Sequence, residues 1–231
     1  MIEWKLSSRF DRVANQKSLK GLAGLTEKML RNGEEVIDLS HNGISFDTHK
    51  TIKNVTIKAI EAGHTHYPTG QGIYELRDAI ANKMKVIDNI DVNPDQILVT
   101  IGAQEAMFLM AQALIDYGDE VITCFPDYPF YRHVRFSGGK VIYLPLKKED
   151  GFKLNVKHLE QLITQKTKLI MIDNPHNPTG RVFTKEELDG VAGVIKNYDI
   201  SLLSDLANES LVWDGRQVFN IASFPGMFER G

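Results

Sequence analysis

The chain has 231 residues, 42% of them hydrophobic and 25% charged, the balance of an ordinary globular protein long enough to bury a sizeable core. Its 27 basic and 30 acidic residues leave a net charge of −3, which gives no electrostatic ground for a nucleic-acid or anionic-membrane partner. Cys124 is the single cysteine, so an intrachain disulfide is excluded. The first twenty or so residues lack the apolar run of a secretory signal and no stretch reaches the ~18 apolar residues of a membrane span, so a cytoplasmic location is expected.

Residues 1–45 lack the alternation of helical and strand-like segments that marks the rest of the chain. They are expected to form an arm and part of a small domain, with Val36 to Leu39 as a short strand, while residues 46–231 form a large domain. Helical spacing of Ile52, Val55, Ala59 and Ile60 predicts a helix over His49 to Ala62, stopped by Gly63. Ile73 to Val86 predicts a second amphipathic helix, Ile97 to Ile101 a short apolar strand, and Ala103 to Tyr117 an apolar helix closed by Gly118. Glu120 to Phe125 and Lys140 to Leu144 read as strands. Val156 to Thr164 reads as a helix with Asn155 at its N-cap, and Lys168 to Asp173 as a strand. A capping box, Thr184 with Glu187, opens a helix to Tyr198, and Ile200 to Ser204 is a strand again. Short apolar strands alternating with helices predict crossover units and a mostly parallel sheet.

Chemistry-bearing residues fall where such sheets bind ligands, beyond the strand ends. Asn174-Pro175-His176-Asn177-Pro178-Thr179-Gly180 follows the apolar run Leu169 to Ile172. Two Asn-Pro pairs and a Thr-Gly make a rigid loop with a sharp turn. Asp205 follows the run Ile200 to Leu203. A carboxylate at a buried edge needs a partner, and either a protonated ring nitrogen or the N–H groups of a helix starting near Leu206 would serve. An amide and a carboxylate delivered together suit a flat heteroaromatic cofactor. Gly102, with Ala103 and Gln104, opens a helix directly after a predicted strand. That is either an anion site at a helix N-terminus or a tight turn needing glycine. Pro126-Asp127-Tyr128-Pro129-Phe130-Tyr131 offers either an aromatic to stack on a planar group or surface aromatics on a turn. Tyr67 lies in a loop entering a helix. His64 and His66 lack the further spacing of a metal site, so none is expected. Cys124 reads as strand packing.

Together these residues resemble the class I/II pyridoxal phosphate (PLP)-dependent aminotransferases of fold type I, from about Val36 to Gly231. The resemblance implies a three-layer α/β/α large domain with a mostly parallel sheet, incomplete at the C-terminus. It implies that Gly102, Ala103 and Gln104 hold the cofactor phosphate, that Tyr128 stacks on the ring, and that Asn177 meets the phenolic oxygen. Asp205 then meets the pyridine nitrogen, and Tyr67 reaches the phosphate of a neighbouring subunit in a homodimer with shared active sites. Amino acid and 2-oxo acid substrates are implied, with the Schiff-base lysine expected beyond Gly231. This chain is accordingly expected to be an N-terminal fragment, inactive alone.

Two departures bear on the reaction. Asn208 stands where the family has a tyrosine that bonds the phenolic oxygen; an amide still donates there. In the segment from Leu39 to Asp47, Asn42 and Ile44 replace a glycine and a proline in a loop that approaches substrate, so Asn42 and Asn177 are candidate substrate contacts. A lyase or synthase of the same fold, or a non-catalytic truncated relative, are the alternative readings.

Overall fold

The computed structural model describes residues 5–14, 20–38, 43–44, 46–127 and 130–231. In chain order its elements are α1 (Asp11–Ala14), α2 (Lys20–Arg31), α3 (Lys50–Glu61), α4 (Tyr74–Lys83), α5 (Gly102–Leu114), β1 (Glu120–Phe125), α6 (Phe130–Ser137), β2 (Lys140–Pro145), α7 (Val156–Leu162), β3 (Thr167–Asp173), α8 (Lys185–Tyr198) and β4 (Ser201–Asp205). Two compact units emerge. One contains Gly70–Gly231 with the described residues up to Val13, and the other is drawn from Ala14–Thr69. The second unit holds α2 and α3. His49 caps α3 by accepting from the Thr51 N–H, and Gly63 ends it at a φ of +82°. Ile52, Val55 and Ile60 on α3 are exposed.

The first unit is a three-layer α/β/α domain. Its four strands are all parallel in the order β2-β1-β3-β4. Alternation along each strand sends side chains to opposite faces. Ile122, Cys124, Ile170, Ile172 and Leu202 join a core with Leu159 of α7 and Leu188, Val191 and Ile195 of α8. Val121, Leu169, Met171 and Leu203 join another with Met107 of α5 and Phe130 and Val134 of α6. Burial on both faces explains why these strands are legible as unbroken apolar runs.

α8 begins as expected. Thr184 Oγ1 accepts from Glu187 N–H at 3.2 Å, and Glu187 Oε2 accepts from Thr184 N–H at 2.7 Å. The same Glu187 carboxylate also accepts from Leu154 N–H at 3.0 Å and pairs with Arg181 at 3.0 Å. Thr184→Ala is expected to lower stability by about 1 kcal/mol, read as a lower urea midpoint at unchanged slope. An unchanged midpoint would show the cap to be dispensable.

Three expectations are corrected. Ile97 to Ile101 is not a strand. Val99 N–H donates to Gln71 O at 2.9 Å, a single bond where a ladder needs a series, and Leu98 and Ile101 are exposed. Val36 to Asp38 is irregular, and Leu39 lies outside the described residues. α5 stops at Leu114 instead of Tyr117, because Ile115 turns extended into the core and the Asp119 carboxylate captures Asp116 N–H at 2.9 Å. α6 was not anticipated. Among the described residues no helix is long and apolar enough to cross a membrane.

Candidate functional site

A parallel sheet delivers the C-terminal end of every strand to one edge. Three aspartates stand there: Asp127 in the turn after β1, Asp173 closing β3 and Asp205 closing β4. Asp173 and Asp205 are register partners, and Asn174 N–H donates to the Asp205 carbonyl at 3.0 Å. The exits of β3 and β4 are therefore tied through their backbones.

The loop from Asn174 to Gly180 is held from inside. Asn174 is buried; its Oδ1 accepts from Phe183 N–H and its Nδ2 donates to Phe219 O, each at 3.0 Å. Asp173 Oδ2 accepts from Asn177 N–H at 2.8 Å. His176 is buried with Nδ1 2.8 Å from Thr179 Oγ1, and its ring lies 5.8 Å from that of Phe183. Gly180, at a φ of +69°, closes the loop by donating to His176 O at 2.8 Å, and Arg181 O accepts from His176 N–H at 2.8 Å. Asn177 is thereby presented, partly buried, beside the β3 exit.

α5 feeds β1 and so runs opposite to it, which brings its N-terminus to the same edge. Met107, within the first two turns, packs in the cluster that contains Met171 and Leu203 near the strand ends. Gly102 takes a φ of +70° that a side chain would strain, and Thr100 Oγ1 donates to its carbonyl at 3.0 Å. Gly102, Ala103 and Gln104 are exposed. Gln104 Oε1 lies 3.1 Å from His133 Nε2, and that ring packs edge-on against Phe108. The first N–H groups of a helix have no partner within it and carry the positive end of its dipole.

Burial dominates the electrostatics. It raises Asp127 to about 7, against the Tyr131 N–H, the Thr123 hydroxyl and the Arg135 charge. It raises Asp173 to about 7 as well, opposed by the Asn177 N–H and reinforced by Asp205 and Asp127. Asp205 is raised by burial and opposed by Ala207 N–H, which donates to its Oδ1 at 2.9 Å. That bond closes a turn, so the alternative of a helix starting near Leu206 does not hold; Asn208 sits partly buried within this turn. Burial lowers His176 to about 4, which keeps its ring neutral.

The sheet edge thus gathers Asn177, Asp205 and Asn208 on the strand exits, with Gly102, Ala103 and Gln104 at the α5 start. Tyr67 is fully exposed and belongs to the other unit. Asn42 and Tyr128 lie outside the described residues. Sequence reasoning passed over Asp173, although it follows an apolar run just as Asp205 does. It also passed over Asp127, which lay inside a motif read only for its aromatics.

The family model of class I and II aminotransferases matches residues 34–226. An aspartate aminotransferase of Pyrococcus abyssi is 36% identical over 227 residues, covering 97% of this chain and 57% of the relative. An aspartate aminotransferase of Bacillus subtilis is 34% identical, with 94% of this chain and 56% of the relative covered. The solved structure of Thermus thermophilus aspartate aminotransferase with maleate superposes with a TM-score of 0.89 at 31% identity, over 96% of this chain and 58% of that one. The chain thus spans a little over half the length of the relatives it matches, and most of its own length fits the family pattern. It belongs to the class I and II aminotransferases.

Proposed function

We propose that this chain is the cofactor-binding portion of a PLP-dependent aminotransferase that moves an amino group between an amino acid and a 2-oxo acid. The observation carrying this reading is the delivery of Asp205 and Asn177 from neighbouring strand exits, on the edge where the α5 N-terminus also opens.

The residues fit the cofactor. Burial disfavours the Asp205 carboxylate as it stands, and a protonated pyridine nitrogen is a cation that would compensate it. The exposed α5 start, with Gly102 at positive φ, suits a phosphate. Asn177 supplies an amide donor for the phenolic oxygen, and Asn208 a second. Bound PLP supplies an electron sink for the carbanion formed at the substrate α-carbon. Asp205 would hold the proton on the ring nitrogen, Gly102, Ala103 and Gln104 would hold the phosphate, and Asn177 would donate to the phenolic oxygen. In this reading Tyr128 stacks on the ring, Asn42 lies near substrate, and Tyr67 reaches the phosphate of the other subunit of a cytoplasmic homodimer.

Titration of the chain with PLP and with pyridoxal, which lacks the phosphate, tests the reading. PLP is expected to bind at least ~10-fold tighter, since charge-assisted bonds at a helix start are each worth about 1 kcal/mol or more. Equal affinities, or no saturable binding of either, would overturn it. In the whole protein, exchange of label between an amino acid and a 2-oxo acid checks the reaction.

A further inference from the structure

Two acidic groups remain unused by this reading. Asp127 Oδ2 and Asp173 Oδ1 are both buried and meet no hydrogen-bond donor among the described residues. Nearby, Asp173 Oδ2 is paired with Asn177 N–H, Asn174 with Phe183 and Phe219, and His176 with Thr179, while Arg181 Nε, at the far end of the loop, is a third buried atom without a partner among the described residues.

The charged and titratable groups around the pair come from every packed element. Asp205 on β4 and Asp127 act on Asp173. On α6, Arg135 is the cation acting on Asp127, and Tyr131 contributes its backbone N–H. On β2, Tyr143 feels Asp127 as a negative neighbour. On β1, the buried Cys124 thiol is pushed up by burial and, to a lesser extent, by both aspartates. His176 is neutral. Among the described residues, Arg135 is thus the cation acting on Asp127, and Asp205 a third carboxylate acting on Asp173.

Two ionised carboxylates, each with a buried oxygen that meets no donor among the described residues, are a costly arrangement. One proton removes a charge and supplies an O–H donor. Among the described residues no cluster of three His, Cys, Asp or Glu side chains is placed to hold a metal ion instead.

We propose that Asp127 and Asp173 together retain one proton at neutral pH, and that Asp173, through its bond to Asn177 N–H, is a positioning residue whose grip on Asn177 changes when that proton leaves. The proton exchanges with solvent and no covalent bond is involved. The protonation itself stands without a cofactor; only the use made of Asn177 rests on the proposed function.

Carboxyl-carbon and amide NMR of the 231-residue chain without cofactor tests this, from about pH 5 to about pH 9, a range centred on the value of about 7 to which burial raises both groups. The two aspartate resonances are expected to share an inflection, as coupled sites do, and the Asn177 amide to follow it. In Asp127→Asn, Asp173 is expected to titrate at lower pH and the amide step near 7 to vanish. Asp173→Ala removes the acceptor and is expected to weaken PLP binding by roughly tenfold, the loss of one charge-assisted bond. Asp173→Asn retains an acceptor oxygen and is expected to recover most of that loss without its pH step. Separate titrations of both aspartates near the ordinary carboxyl range of about 4, or an Asn177 amide indifferent to pH in the unaltered chain, would overturn the proposal. A shared inflection in a chain that binds no PLP would sink the proposed function and leave this inference standing.

Discussion

Asp205→Asn is expected to weaken PLP binding to this chain by roughly 10- to 100-fold while leaving its thermal midpoint unchanged or slightly higher. Binding falls because an amide cannot offer a negative charge to a protonated ring nitrogen; hydrogen bonds to charged groups contribute about 1.5–3 kcal/mol. Stability holds for two reasons. An asparagine oxygen can still accept the Ala207 N–H that Asp205 Oδ1 accepts at 2.9 Å. The substitution also removes a carboxyl whose ionised form is disfavoured by burial. The sign follows from linkage. A folded carboxyl raised above its unfolded value binds more protons folded than unfolded. Its contribution therefore becomes unfavourable as pH rises from about 4 toward its folded value. The Asp205→Asn chain should accordingly gain relative to the parent at pH 8 and not at pH 4. Fluorescence or absorbance titration with PLP, alongside thermal unfolding at both pH values, checks both halves. Undiminished PLP affinity would remove Asp205 from the cofactor site.

Asn174→Ala is expected to destabilise the chain by about 2–5 kcal/mol, the largest stability loss from any single polar side chain at the sheet edge. Asn174 satisfies the buried Phe183 N–H and the Phe219 carbonyl at once. Its truncation leaves both without a partner, and each unsatisfied buried group costs about 1–3 kcal/mol. The same change loosens the loop that presents Asn177, so PLP affinity should fall with it. Urea unfolding with unchanged slope gives the energy. At roughly 2–4 °C per kcal/mol for a chain of this size, the thermal midpoint should drop by several degrees. A loss below about 1 kcal/mol would mean that water replaces both bonds.

How far the sequence spoke depended on whether a feature was local. The capping box at Thr184 and Glu187 and the Asn155 cap are contacts between near neighbours in the chain, and both stand as read. β1, β3 and β4 were legible because burial on both faces requires unbroken apolar runs. The Ile97 to Ile101 segment has the same composition, yet a strand is defined by the backbone beside it, which one sequence does not display. α6 stayed hidden because Phe130 and Val134, its buried residues, are interleaved with Tyr131, Arg132, His133 and Arg135, so its apolar stripe is narrow. At the site, Asn177 and Asp205 were named through position after a strand. The bond from Asn177 N–H to Asp173 spans only four residues, and it was missed because Asp173 was read simply as the end of a strand. The hold of Asn174 on Phe219 was not legible, because it closes over 45 residues of chain.

The common direction of the four strands also separates handling from chemistry. Gln165, exposed in the turn entering β3, stands roughly 20 Å from the Asp173 end, the length of a seven-residue strand. Cys124, the sole native thiol, is sequestered between the layers. A reporter dye or surface tether carried by Gln165→Cys would therefore label one place, on the rim remote from Asn177 and Asp205, and leave the ligand-facing rim open to solution.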